Sequence, residues 1–260
     1  MCLLFSSEHL VHAQSTFTFL DSISVEAKAI QTDRLGNIFA VSKTNQLYKF
    51  SPDGKLLSTL NYTYTGNISH IDASNPLEIY VFYRELNLVT FLDNNLAYRG
   101  ELRLSDHNIL QASAACRSYD NGIWVFDLGD LQLKKLSKEG ELSQASPNIR
   151  QFCQAKTVTP AFIYENGERV FLNDSAQGIF VFDVFANYMK TIPLRRLVDF
   201  KVLSDEIYYF SEGELKIYQL KTAASKSVVI PDAMNAKYVS VEKERLYIAT
   251  EKSIRIYKYD

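Results

Sequence analysis

GNIFAVSKTNQLYKFSPDGKLLSTL, residues 36–60, is the stretch whose reading decides the fold. It holds two short strands, IFAV (38–41) and LYKF (47–50), then a Pro52-Asp53-Gly54 turn and a third strand from Lys55. Proline fixes φ at that turn and glycine takes the position that needs φ > 0. The aromatic side chains could belong to a site or to one unit of a repeat, and the rest of the chain decides between these.

The stretch comes back. IFAV is echoed by IYVF (79–82), IWVF (123–126), RVFL (169–172), IYYF (207–210) and LYIA (246–249), with starts 41, 44, 46, 38 and 39 residues apart. After each comes a second strand: LYKF, then LVTF (88–91), LKKL (133–136), IFVF (179–182), LKIY (215–218) and IRIY (254–257). Turns such as Lys43-Thr44-Asn45, Arg84-Glu85 and Ser211-Glu212-Gly213 separate the two sets. Each unit also has a strand before the pair and usually one after, as in AKAIQTD (27–33) and KLLSTLNY (55–62). Four short strands at a period of about 42 residues are the signature of a β-propeller blade. The near-continuous apolar character of IYVF and its echoes fits a strand buried on both faces between neighbouring blades.

The expected fold is therefore an all-β, six-bladed β-propeller. Residues 15–260 form its single domain, with blades near 24–65, 66–106, 107–150, 155–195 and 196–232. A sixth, short blade over 233–260 is completed by residues 15–23, because FTFLDSI (17–23) precedes the first blade and belongs to no complete unit. Pairing the termini removes open sheet edges. The alternatives are seven blades with one degenerate unit, hidden near 142–158, and an open solenoid.

Composition agrees with a globular chain: 260 residues, 47% hydrophobic and 22% charged, with sixteen Tyr and sixteen Phe against ten Gly and six Pro. These proportions favour aromatic-rich strands. A net charge of -2, with both signs interspersed, implies no broad attraction to nucleic acid. No run reaches the length of a membrane-spanning helix. Residues 1–14 read either as the remnant of an export signal ending near Ala13-Gln14 or as a disordered leader. The first reading places the protein in the periplasm, the cell envelope or the extracellular space; the alternative is cytoplasmic. Of the three cysteines, Cys2 falls in that leader, leaving Cys116 and Cys153 either as a disulfide or as two thiols on neighbouring strands.

The segment DRLGNIFAVSKTNQLYKFSPDGKLL (33–57) resembles NHL-type repeats through its Asp-x-x-Gly-Asn-Ile-Phe entry and Phe-Ser-Pro-Asp-Gly-Lys turn. Later units replace that pattern with Asn75-Pro76-Leu77-Glu78 and Asp120-Asn121-Gly122. The chain is similar in style to divergent propellers of exported Bacteroidetes proteins. The resemblance implies a fold rather than an activity, since such propellers include interaction modules and a few lyases. The recurring Gly-His and Trp-Asp pairs of WD40 blades are missing, with Trp124 the single tryptophan.

Chemistry is sparse. His9 and His12 fall in the leader, and His70 and His107 read as loop or strand-end residues that share a site only if their loops converge. Asp33, Asp72, Asp120 and Asp205 recur near the ends of first strands. They either ring the channel, to hold a cation or act as paired acids, or cap their own turns. There is no phosphate loop, no Gly-x-Ser-x-Gly elbow, and no calcium or zinc motif. Asn61 and Asn67 head N-glycan sequons, and Asp21 and Asp174 head short Asp-Ser-apolar matches. Arg84, Glu85, Arg150, Arg195 and Arg196 lie on connections that a rigid ring would present outward. From these features no catalytic residue, cofactor or metal ligand is assigned. The expectation is a non-catalytic scaffold, more readily a binder than an enzyme, meeting a protein or peptide on one face. The alternative is a hydrolase or lyase of glycans or small substrates, working at the mouth of the channel and needing three or more titratable groups within hydrogen-bond reach, at least one with a shifted pKa. A propeller parted from a neighbouring domain is the third reading.

Overall fold

The structure, a computed structural model, describes residues 16–61, 66–153 and 155–259. The export-signal or leader reading of residues 1–14, with His9, His12 and Cys2, lies outside these. Six four-stranded antiparallel sheets form the ring.

In chain order, β1 (Phe17–Ile23) comes first and is followed by blade one: β2 (Ala27–Thr32), β3 (Ile38–Ser42), β4 (Leu47–Phe50) and β5 (Leu56–Thr59). Blade two is β6 (His70–Asp72), β7 (Glu78–Tyr83), β8 (Leu88–Asp93) and β9 (Tyr98–Arg103). Blade three is β10 (Ala112–Arg117), β11 (Ile123–Asp127), β12 (Gln132–Leu136) and β13 (Leu142–Ala145). Blade four is β14 (Phe162–Asn166), β15 (Arg169–Asp174), β16 (Gly178–Asp183) and β17 (Tyr188–Ile192). Blade five is β18 (Lys201–Leu203), β19 (Glu206–Ser211), β20 (Glu214–Gln219) and β21 (Ser225–Val228). Blade six is β22 (Tyr238–Glu242), β23 (Arg245–Ala249) and β24 (Ile254–Tyr259), with β1 as its outer strand.

Ring closure is thus the one expected from FTFLDSI. In the β1–β24 pair, Phe17 faces Tyr259, Phe19 faces Tyr257 and Ile23 faces Ile254, with a bulge between Phe19 and Asp21. The Phe17 and Tyr259 rings stack at 5.2 Å. The 142–158 stretch holds no partial blade among the described residues. After β13 it makes a 3-10 turn, Ile149–Gln151, whose first amide donates to Leu131 O at 2.8 Å.

The packing explains why the second strand of each unit is apolar at nearly every position. Side chains alternate across a strand, and here each face meets a different neighbouring blade. From β3, Phe39 and Val41 pack toward blade two while Ile38 and Ala40 pack toward blade six. From β11, Trp124 and Phe126 face blade four while Ile123 and Val125 face blade two. Hydrogen bonds supplement this packing at the same position of the motif. Tyr80 donates to Asn121 O of the next blade at 2.9 Å, and Tyr247 donates to Gly36 O at 3.0 Å. Trp124 Nε1 donates to Glu165 of blade four, whose carboxylate also accepts from Ser118 Oγ at 2.7 Å and Tyr119 N at 2.6 Å.

Cys116 is buried on β10 and Cys153 is half-buried in the following connection; both are free thiols. No disulfide joins them, but the expected pair of buried thiols on neighbouring strands is realised only at Cys116, since Cys153 lies in a connection and is only half-buried.

Candidate functional site

The first strand of each blade lines the central channel, and the starts of these strands surround one mouth. The connection into β6 is pinned from blade one. Asn45, in left-handed conformation at the β3–β4 turn, accepts from Ile68 N at 2.9 Å and donates to Gly66 O at 3.0 Å. A second anchor comes from Ser69, whose amide donates to Phe82 O at 2.9 Å and whose hydroxyl accepts from Arg84 N at 3.1 Å. These bonds fix the start of β6 and so deliver His70 to the mouth.

The mouth is a cavity of about 230 Å³ lined by side chains from several blades, among them Lys28, His70, Arg84, Phe162, Asp199 and Tyr238. His70 comes from blade two and Asp199 precedes the first strand of blade five. In a ring of six these blades are opposed, so anything seated in the mouth lies between the two groups. The imidazole packs edge-on against Phe162, with centroids 5.0 Å apart at 87°. Burial lowers its pKa, with Asp72 pulling the other way, so the ring is neutral near pH 7. Burial raises the Asp199 carboxyl to about 6. Among the described residues neither the His70 ring nitrogens nor the Asp199 carboxylate has a hydrogen-bond or ion-pair partner. Two ionisable groups of this kind, recessed and without a structural task, are what a reactive site requires.

The opposite end of the channel is of another character. Lys201 Nζ pairs with Glu242 Oε2 at 2.8 Å and donates to Thr32 O at 2.9 Å, tying blades five, six and one together. Burial opposes the Lys201 charge, but Tyr164 and Glu242 outweigh it and hold its pKa above the usual lysine value. Thr32 Oγ1 and Ser240 Oγ share a hydrogen bond of 3.1 Å beside it. Lys201, Glu242, Thr32 and Ser240 are thus bonded to one another across three blades, and their role is to join blades.

The four aspartates do not form a ring. Asp33 accepts from Leu35 N and Asn37 N, both at 2.9 Å, and so caps its own turn. Asp72 accepts from Ser74 N and from Arg117 N of the next blade, both at 2.8 Å. Asp120 pairs with Lys135 Nζ at 2.7 Å, and Asp205 with Lys221 Nζ at 2.7 Å. All lie at or beyond the far ends of their inner strands. No group of three or more His, Cys, Asp or Glu among the described residues could hold a metal ion. His107 does not join His70: it packs in the position a Cβ on Gly140 would need, at the outer part of blade three. Arg150 donates to Lys156 O at 3.0 Å, and neither it nor Arg195 or Arg196 lines the mouth. Glu85 accepts from Asn67 Nδ2 at 3.4 Å.

The sequence reading singled out His70 and Arg84 but overlooked Lys28, Asp199 and Tyr238. The available signal was positional. Ser69-His70 and Val198-Asp199 both place an ionisable residue at the start of the inner strand, where other blades carry Phe162 or Ala112.

No protein-family model matches the chain and no curated protein matches its sequence, so the NHL-type likeness of residues 33–57 stays a local one. Solved structures do match in fold, and they place the chain in the class of β-propellers. A streptogramin B lyase aligns with a TM-score of 0.63 at 12% identity, covering 95% of this chain and 97% of that one. Virginiamycin B lyase from Staphylococcus aureus aligns with a TM-score of 0.64 at 10% identity, over 94% of this chain and 99% of that one. The Pan2 WD40 domain of Neurospora crassa aligns with a TM-score of 0.66 at 10% identity, over 96% and 97%. Identity at this level carries the fold alone.

The expectation of a non-catalytic scaffold, more readily a binder than an enzyme, is corrected by these findings. Two of the three structures named above are lyases, which removes the ground for preferring a binder without assigning an activity to this chain. The enzyme alternative asked for three or more titratable groups within hydrogen-bond reach; the mouth gathers His70, Asp199, Lys28 and Arg84 around one cavity, two of them with shifted pKa values, but no hydrogen bond joins them among the described residues. The sequence did not show this gathering because His70 and Asp199 are far apart in the chain and come to line one cavity only through ring closure. No helix among the described residues is long and apolar enough to cross a membrane.

Proposed function

We propose that the chain is an enzyme, a lyase in preference to a hydrolase, acting on a small molecule at the channel mouth. The observation that carries this reading is that His70 and Asp199 line one cavity from opposed blades, neither with a hydrogen-bond or ion-pair partner among the described residues. Their burial brings a base whose ordinary pKa is 6.5 downward and an acid up to about 6. A base whose pKa burial lowers and an acid whose pKa burial raises are the two kinds of group that take up and return a proton near neutral pH. Neutral His70 removes a proton from carbon. The C–H electron pair forms a double bond as the neighbouring bond to the leaving group breaks, and the protonated fraction of Asp199 delivers a proton to the departing atom. No water is consumed in that sequence. The lyase names among the similar structures favour elimination over activation of a water by His70.

The test is turnover on a panel that includes the compounds named for the similar lyases, streptogramin B, virginiamycin B and quinupristin, together with oligosaccharides, read by mass spectrometry. Elimination leaves the summed mass of substrate unchanged, whereas hydrolysis adds one water. His70→Asn and Asp199→Asn should each lower kcat/KM by about 100-fold or more. Arg34→Ala, at the other face, should leave it unchanged. Turnover that survives both substitutions would sink the assignment.

A further inference from the structure

From the arrangement of charge and apolar surface at the mouth we infer that the site takes a carboxylate-bearing ligand with an apolar body, and that Arg84 is the residue that selects it. This deepens the enzyme reading by naming the substrate class, and rests on it only in placing the substrate at this mouth.

Arg84 belongs to a short 3-10 turn, Arg84–Leu86, between β7 and β8. Its backbone is held: the amide donates to Ser69 Oγ at 3.1 Å and the carbonyl accepts from Asn87 N at 3.0 Å. Its side chain is not comparably held. It is exposed and leans across the mouth from blade two toward blade four, where Nη2 meets Ala161 O at 3.4 Å. A guanidinium carries five N–H donors in a planar fork, and one long bond to a carbonyl leaves most of them for a ligand. A carboxylate accepts two of them side by side, with charge assistance.

A second cation stands in the same cavity. Lys28 Nζ donates to Asn45 Oδ1 at 2.9 Å, which orients it without neutralising it. Against these two charges the lining offers one acid, Asp199. That group takes up a proton more readily than an ordinary carboxylate, which lessens its repulsion of a bound carboxylate. Its pKa is already raised by burial, and a second negative charge beside it raises it further. Most of the remaining wall is apolar or aromatic, with Phe162, Tyr238, Ile68 and Val198 facing the same space beside Gln31 and Ser69. Such a wall gains by covering hydrocarbon, and a bare inorganic anion would leave it wet.

The experiment is calorimetric titration of the full chain with 4-phenylbutyrate, its neutral amide, acetate and inorganic phosphate. Phenylbutyrate should bind at least about tenfold more tightly than the amide or acetate, and Arg84→Gln should remove the preference over the amide. Binding of the amide itself should not change in that variant, which also shows that the mouth remains folded. Lys28→Gln should weaken the acid by a smaller factor. Equal affinity for acid and amide, no binding of the acid, or an Arg84→Gln variant that keeps the preference would overturn the inference. Phosphate binding as tight as that of phenylbutyrate would also overturn it, by removing the apolar body. The two readings fail separately. If His70→Asn abolishes turnover while acid and amide bind alike, the enzyme stands and the carboxylate preference falls. A preference for the acid together with turnover indifferent to His70 and Asp199 gives the reverse.

Discussion

Asp199 carries a carboxyl that burial holds at about 6, with no donor among the described residues to offset the cost of its charge. Between its unfolded value near 3.8 and the folded value, the native state binds more protons than the unfolded chain. Stability from this group is therefore present below about pH 4 and is lost as pH rises through about 6. Asp199→Asn removes that slope and should make the protein more stable at pH 7 by roughly 1–2 kcal/mol, after allowance for solvent in the mouth. Urea midpoints of both proteins at pH 4, 5, 6 and 7 would show it, and curves that stay parallel would refute it. His70 works in the opposite sense: its lowered pKa costs stability as pH falls below 6.5. Both proteins share that term, so the difference between them isolates Asp199. His70 stood out in the sequence because histidines are few. Asp199 did not, being one carboxylate among thirty acidic residues, and only the channel separates it from the turn-capping aspartates.

At the level of elements, the device that recurs is the clamp between one blade and the entry to the next. Asn45 binds both Gly66 and Ile68, and Asn87 binds Ile109 O at 2.5 Å and Ala112 N at 2.9 Å in the following blade. Both asparagines have positive φ, which their short amide side chains tolerate. The Lys43-Thr44-Asn45 turn was legible in the sequence, whereas its hold on the next connection was not. Glycine is demanded more strictly at the start of β16. Gly178 has φ +107, and a Cβ there would stand 2.4 Å from Ile192 O. Gly178→Ala should cost about 2–4 kcal/mol, from backbone strain plus the displacement of β17. Gly213 also has positive φ, at +79, but nothing lies within 4 Å of its missing Cβ. Gly213→Ala should then cost only about 1 kcal/mol. Urea denaturation of the two variants side by side measures the steric part as the difference, and equal losses would mean that the Ile192 contact relaxes freely.

For the whole molecule, closure by β1 is the contact on which the ring depends. β24 has β23 on one side and β1 on the other, and Ile254 and Ile256 are buried in the last blade. Deleting residues 1–25 bares that edge and loosens the interface between blades six and one. The truncated protein should melt at lower temperature and form concentration-dependent assemblies, as exposed strand edges do. Light scattering after size-exclusion chromatography, with thermal melts, checks this. A monomer with an unchanged melting temperature would show that packing between blades closes the ring without β1.

The sequence by itself determined the repeat, the blade count and the strand that completes the last blade. These follow from local patterning: apolar runs such as IYVF at regular spacing, Pro-Asp-Gly and Asn turns between them, and a spare strand at 17–23. It also left open whether Asp33, Asp72, Asp120 and Asp205 converge, because capping a turn and lining a channel require the same residue type at the same place. Only the tertiary structure decided that they cap or bridge. It alone set His70 of blade two opposite Asp199 of blade five, more than a hundred residues later, with Arg84 leaning over the space between them. Periodicity fixes what each strand buries against its neighbours, but a site at the axis of a ring is assembled from the starts of distant strands. That juxtaposition exists only once the last blade has met the first.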